Sequence, residues 1–275
     1  MPRKLYKFLI IFAITGIFLA LPVFWITLNA ENKLEIAFLD VGQGDASLIK
    51  TPFGQNILID GGADYKVIEE LEKELQWWDR TIDLMVLTHP HNDHVAGLIF
   101  VLERYDVKKI LYTGVVHGAP AYLEWLKIIK AKNIPLIIID HPQKIIFGND
   151  CFLDVIYPRE SLLGKSVNNL NNSSIIAELD CEDRTVLFMG DAETEVEEEL
   201  IKTGRLSEVE ILKVGHHGSN TSSNQEFLEL VNPQNAVISV GKDNKFSHPS
   251  RRIIKRLERL GAEILRTDLD GTIKF

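Results

Sequence analysis

The chain is short of cysteine: two residues in 275, Cys151 and Cys181, are too few for a disulfide framework and lack the close spacing of thiolate zinc sites. They read as two half-buried strand residues, with a single disulfide as the alternative in an exported setting. No repeat and no linker interrupts residues 34–275, so one domain is expected there. No Ser-His-Asp or nucleophile-elbow pattern is present to suggest a covalent serine mechanism. Basic residues are also in deficit, with 30 Lys and Arg against 39 Asp and Glu. Without residues 1–30 the balance is 27 against 39, a net charge of −12. A domain so acidic repels polyanions overall, which argues against a processive nuclease with a tight grip on long nucleic acid. A local rim of Lys242, Lys245, Arg251 and Arg252 remains available to steer a phosphate inward.

What the chain does have is a long apolar run at its start. Arg3, Lys4 and Lys7 precede Phe8 to Leu28, which carries no charge and is about as long as a helix needs to cross a bilayer at roughly 1.5 Å per residue. Residues 1–30 therefore read as a membrane anchor. A cleaved signal peptide is the alternative, although Leu28-Asn29-Ala30 is a poor cleavage site. Basic residues stay on the cytoplasmic side, so either reading sends the rest of the chain outward.

Over residues 34–275 short β-rich runs alternate with helical periodicity. LEIAFLD, ASLIK, NILID and IDLMVLT read as strands, followed by KKILYTG, PLIIID, FLDVIYP, SIIAELD, RTVLFMG, VEILKVG, NAVISVG, AEILRT and GTIKF. Helices are expected near 66–75, 95–104, 121–131, 194–202, 225–230 and 250–260. This order suggests two packed sheets with helices on both outer sides.

The strongest local signal follows the IDLMVLT strand. In THPHNDHVAG, His89, His91, Asp93 and His94 are four ligand-type side chains within six residues, and Pro90 discourages a helix there. On an extended turn, alternate positions point His89 and His91 one way while the Asp93-His94 pair aims at a second point. Imidazole and carboxylate are what borderline divalent ions such as zinc prefer.

HPHNDH resembles the HxHxDH signature of the metallo-β-lactamase superfamily, whose α/β fold is an αββα sandwich with metals at the sheet edges. FLDVGQGDA, ILIDGG, NNSSIIAEL, LFMGDAE, LKVGHHGS and FSHPS, in that order, resemble more narrowly the metallo-hydrolase domain of the ComEC competence family. The resemblance spans roughly residues 34–275. The membrane-channel part of full ComEC proteins has no counterpart in this sequence, so a role in DNA uptake is not carried over.

The resemblance implies two divalent ions, zinc or manganese. His89 and His91 would hold the first, Asp93 and His94 the second, and Asp191 would bridge them. His217 would complete the second site, by its similarity to the adjacent histidines of phosphorylcholine esterases in this superfamily. His216 would then touch the substrate, with the reverse assignment of the two histidines as the alternative. Where many members place a third histidine on the first ion, this chain has an asparagine-rich stretch, from which Asn171 or Asn172 is the candidate. An amide oxygen is a weaker and harder donor than imidazole, so looser binding or a preference for manganese is expected at the first site.

Asp60 matches a carboxylate that orients a ligating histidine in the family, with simple turn chemistry as its rival. His248 resembles a family histidine near the pocket, suited to a phosphate or leaving-group contact. Glu193 is expected near the mouth or as an acidic residue in a first helical turn. Asp45 is expected either to brace the first loop or to be solvated, and His117 and His141 to lie on the surface.

Two such ions sharing a hydroxide would suit hydrolysis of phosphodiester-type substrates: DNA, nucleotides or phosphorylated envelope components. Acyl hydrolysis of the lactamase or lactonase type and a non-catalytic metal-binding module are the alternatives.

Overall fold

Strands such as Ile36–Phe38 and Ile57–Ile59 are apolar at every position and need cover on both faces. The computed structural model, which describes residues 33–275 together with Phe12, supplies that cover. Leu34–Phe275 is one compact unit. The membrane reading of residues 1–30 lies outside the described residues, among which no helix is long and apolar enough to cross a bilayer.

One seven-stranded sheet runs, in spatial order, Ile273–Lys274, Glu35–Phe38, Ser47–Lys50, Asn56–Ile59, Leu84–Val86, Ile110–Tyr112 and Leu136–Ile138. The second runs Glu263–Arg266, Asn235–Ile238, Ile211–Lys213, Arg184–Phe188, Ile176–Cys181, Cys151–Tyr157 and Gln143–Gly148. In each, an antiparallel flank passes into a parallel one, at Asn56–Ile59 and at Arg184–Phe188. A small pair, Thr81–Ile82 with Asp106–Val107, stands apart.

Three apolar layers hold the sandwich together. The central layer lies between the sheets, where Phe38 and Phe188 meet at 5.9 Å between ring centroids among Ile49, Ile57, Leu153 and Val186. Leu98, Val101 and Trp125 from helices Asn92–Arg104 and Pro120–Lys132 cover the outer face of the first sheet. Phe227, Ile253 and Leu257 from helices Gln225–Val231 and Arg251–Leu260 cover that of the second. Each fully buried Leu, Ile or Phe stabilises the fold by roughly 1.5–3 kcal/mol through removal of apolar surface from water.

The cysteines differ from the first expectation, for both are fully buried in the central layer and joined to each other. The reason is register: antiparallel strands set Cys151 directly opposite Cys181. Gln143–Gly148, with alternating exposed and half-buried residues, is an edge strand that the sequence patterning passes over.

Function follows from strand direction. The parallel strands of both sheets end on one side of the sandwich, so the loops after Ile59, Val86, Phe188, Lys213 and Ile238 gather there.

Candidate metal centre

The HPHNDH segment is less extended than its spacing suggests. Its helix begins at Asn92, three residues before the expected start, so Asp93 and His94 stand in the first helical turn. His91, at the N-cap, has the extended backbone (φ −69°, ψ 151°) usual for that position. The polar ligand residues mask the helical period, while an acidic side chain in the first turn suits the helix dipole. Gly97 lets this helix touch the loop after Ile59: its N–H donates to Gly62 O at 3.0 Å, and a Cβ there would meet Gly61 O at 1.7 Å. Gly44 brings the loop after Phe38 against the helix start, where a Cβ would meet Asp93 O at 2.1 Å.

These loops converge six ligand side chains. His217 Nε2 lies 3.5 Å from Asp93 Oδ2 and 3.5 Å from Asp191 Oδ2, and His94 Nε2 lies 3.3 Å from Asp191 Oδ2. Donors about 2.1 Å from a tetrahedral ion stand roughly 3.4 Å from one another, so this spacing is that of ligands around a cation rather than of partners in contact. Consistent with that, His94 Nε2, His217 Nε2 and Asp191 Oδ1 are buried with no hydrogen-bond partner. Beside them His89 Nε2 lies 3.0 Å from His91 Nδ1 and 3.8 Å from Asp191 Oδ2. Both three-residue sets, His89-His94-Asp191 and Asp93-His94-His217, offer ligand atoms within 4.8 Å of one another. The donors present therefore fit divalent cations.

The ring nitrogens facing away are held from behind. His94 Nδ1 meets Asp60 Oδ2 at 2.8 Å, and Asp60 is fixed in turn by the Thr88 N–H at 2.8 Å and the Thr88 hydroxyl at 2.7 Å. Asp60 has φ 60°, a left-handed backbone rare outside glycine, just before Gly61 and Gly62. His217 Nδ1 donates to Ser239 O at 2.9 Å and lies 3.2 Å from Asp45 Oδ1. Asp45 is not solvated: it is buried against the Lys213 ammonium, itself 2% exposed, joining a loop of one sheet to a strand of the other. Lys213, Thr88 and Ser239 are supports that motif reasoning missed. For Lys213 the signal was a lone charge in the apolar strand ILK.

Charge reflects the same arrangement. Burial opposes ionisation of Asp191, but the His217 and His94 rings outweigh it and hold the carboxyl well below the usual range. Burial likewise opposes charge on both imidazoles, yet Asp191 with Asp60 lifts His94, and Asp191 with Asp45 lifts His217, well above the ordinary histidine value. Burial and the neighbouring His94 push His89 well below it. Protons on His94 and His217 thus occupy the place in the charge balance that a cation would take.

His216 and His217 both have left-handed backbone, φ 47° and 53°, which turns the two adjacent rings in different directions. His217 faces the donor cluster. His216 lies 3.2 Å from Glu193 Oε1 and 3.1 Å from Thr221 Oγ1, on the wall of a pocket of about 200 Å³ that also includes His91, Asn171, Phe246 and His248.

Of the two asparagines, Asn171 reaches this pocket, with its amide nitrogen 3.0 Å from Glu193 Oε1 and its buried Oδ1 unpartnered. Asn172 instead accepts the Glu193 N–H at 2.9 Å and donates toward Glu195, bonds that fix the helix start. Glu193 sits beside the pocket at the N-cap of Thr194–Thr203, one position before the first helical turn, whose acidic residues are Glu195 and Glu197. Although burial works against its charge, donors from Asn171, Thr221 and Asn169 hold its carboxyl below the usual range.

His248 lies 5.6 Å from His216 and 6.4 Å from His217, centroid to centroid. Burial, helped by the charges of His217 and His216, pushes its pKa down to about 4. His141 is exposed as expected, whereas His117 is half-buried, its ring 6.5 Å from that of His91. The segment before helix Pro120–Lys132 brings it there, a placement with no local sequence signal.

A profile of the metallo-beta-lactamase superfamily matches residues 39–242. The chain is 26% identical to ComE operon protein 3 of Bacillus subtilis over 264 residues, 89% of this chain and 33% of that protein. It is 29% identical to competence protein ComA of Neisseria gonorrhoeae over 250 residues, 89% of this chain and 32% of that one. It thus spans about a third of the length of these relatives. Among solved structures, Zn(2+)-bound PqqB of Methylobacterium extorquens superposes with a TM-score of 0.58 at 10% identity, covering 88% of this chain and 99% of that one. A metallo hydrolase of Ignicoccus hospitalis gives 0.57 at 16%, covering 88% and 98%. The profile match, over most of the folded unit, agrees with the two-sheet sandwich and its clustered His and Asp side chains: this chain belongs to the metallo-beta-lactamase superfamily, with a ComEC-like sequence.

Proposed function

We propose that this chain is a hydrolase of phosphodiester-type substrates, dependent on two divalent ions, zinc or manganese. Asp93, His94, His217 and Asp191 would hold one ion, and His89, His91 and Asp191 the other. The observation that carries the reading is that the buried, unpartnered Nε2 atoms of His94 and His217 stand at ligand-to-ligand spacing from Asp191 Oδ2, with Asp191 Oδ1 unpartnered as well.

A bound ion pair supplies an acidified water and polarises the oxygen of the group under attack. The chain's own residues do the rest. His216, its ring braced by Glu193 and Thr221 on the pocket wall, is suited to touch the substrate phosphate or its leaving group. His248, neutral at pH 7, is suited to donate a hydrogen bond to a phosphoryl oxygen rather than to deliver a proton. The Asn171 carbonyl, buried and unpartnered in the pocket wall, is the candidate further donor for the first ion. Exposed Lys242, Lys245, Arg251 and Arg252 draw an anionic ester toward an otherwise acidic molecule. The name of one relative, competence protein ComA, refers to competence, which supports DNA or nucleotides as transient partners, ahead of phosphorylated envelope components.

Residues 1–30 are read as the anchor that keeps residues 34–275 on the outer side of a membrane, or as a signal that secretes them. A direct test of the chemistry is release of nitrophenol from a bis-nitrophenyl phosphate by metal-loaded protein, with a nitrocefin-type β-lactam as the contrast. Turnover of the phosphate ester alone is expected. Turnover of the lactam alone would replace this reading with an acyl hydrolase, and turnover of neither would leave a metal-binding module.

A further inference from the structure

The end of the sandwich opposite the metal centre carries features that hydrolysis does not use. Trp77 and Trp78, in the loop after helix Lys66–Glu74, are 79% and 64% exposed and stacked edge to face at 5.3 Å. Phe53, in the turn after Ser47–Lys50, is 48% exposed. A soluble surface gains nothing from three exposed aromatics, each able to bury some 150–250 Å².

Their position is fixed by contacts. Helix Lys66–Glu74 starts at the metal end, where Lys66 pairs with Asp40 at 2.8 Å. It finishes at the far end, where Glu74 O accepts from Lys50 Nζ at 3.1 Å and Glu74 pairs with Lys274 at 2.7 Å. Lys50 also pairs with Glu35, the first residue of its strand, and Asn56 Nδ2 donates to Asp79 at 2.8 Å, one residue past Trp78. The chain therefore enters the fold at Glu35 on the same pole that displays Trp77, Trp78 and Phe53. Only residues 29–34 separate Glu35 from the end of the apolar run Phe8–Leu28, and six residues reach at most about 20 Å.

We propose that this pole lies on the bilayer surface that holds residues 8–28, with the Trp77–Trp78 pair and Phe53 in the headgroup region and the metal centre turned away from the lipid. Tryptophan is enriched at that interface because its indole is apolar in the ring and polar at the N–H. The inference rests on the membrane-anchored reading of residues 1–30. Docking of the pole would set the standoff and orientation of the catalytic mouth, so that substrates approach from the bulk phase.

The full chain, reconstituted in phosphatidylcholine vesicles, tests this through its own four tryptophans, Trp25, Trp77, Trp78 and Trp125. In a Trp25→Phe chain the emitters are the exposed pair and the buried Trp125. Lipid brominated near the headgroup is expected to remove about half or more of that emission, and the further changes Trp77→Ser and Trp78→Ser to abolish the effect. In a Trp77→Ser, Trp78→Ser chain, quenching of Trp25, three residues before the end of the apolar run, by lipid brominated in the upper acyl chain reports the anchor separately. Such quenching of Trp25 while the pair ignores lipid bromine and stays open to aqueous iodide would overturn the docking alone. Absence of Trp25 quenching would overturn the anchor and the docking with it. Protection of the pair from iodide without lipid quenching would indicate a protein partner and also overturn it.

Discussion

The two halves of the donor cluster are built to different standards. On one side Asp93, His94, His217 and Asp191 meet at 3.3–3.5 Å, and each of the two imidazoles is fixed from behind by a buried carboxylate, Asp60 or Asp45. On the other, His89 and His91 converge at 3.0 Å but reach Asp191 only at 3.8 Å. Asn171, with a buried and unpartnered amide oxygen, lines the same pocket as His91. The lesson is that donor count and outer support go together: the side with four candidate donors is also the side braced across both sheets.

The largest effect is expected where the halves share a ligand. Asp191→Asn should lower phosphate-ester turnover by more than about 100-fold with little change in far-UV circular dichroism, as steady-state assays would show. Near-wild-type rates would remove Asp191 from the centre of the account.

Next is the brace. Lys213→Met leaves Asp45 buried without its cation, so metal affinity on the His217 side should fall by about 10–100-fold. Competition with a chromophoric chelator would measure it, with the His89 side less affected.

A smaller change should narrow the difference. Asn171→His adds an imidazole to the thin side and is expected to raise its zinc affinity by about tenfold, read as a slower loss of the second equivalent on dialysis.

The smallest effect concerns the loop behind His216 and His217. Glu197 accepts the N–H groups of Ser223 and Asn224, and burial, opposed by those bonds, lifts its pKa to about 7. A folded value above the unfolded one means stability that is present below about pH 4.5 and lost as pH rises to about 7. Glu197→Gln should flatten that decline, by an amount on the order of 1 kcal/mol, in thermal unfolding followed across pH.

Much of the braced side was legible because its ligands are clustered in sequence: HPHNDH, MGDAE and HHGS each follow an apolar strand, and strand ends gather in an α/β sandwich. What escaped reading depends on partners distant along the chain. Lys213 looks like a surface charge until the loop carrying Asp45 arrives 168 residues away in sequence. Cys151 meets Cys181 through register alone. His117 approaches His91 through the loop between strand Ile110–Tyr112 and helix Pro120–Lys132. The early start of helix Asn92–Arg104 was hidden because ligand residues occupy its first turn.

Anomalous diffraction from zinc-loaded crystals is the most direct test of the convergence at the heart of this reading. A strong peak about 2.1 Å from His94 Nε2 and His217 Nε2, with Asp93 and Asp191 completing it and a weaker peak beside His89 and His91, is predicted. Zinc found elsewhere, with these side chains paired only to one another, would contradict it.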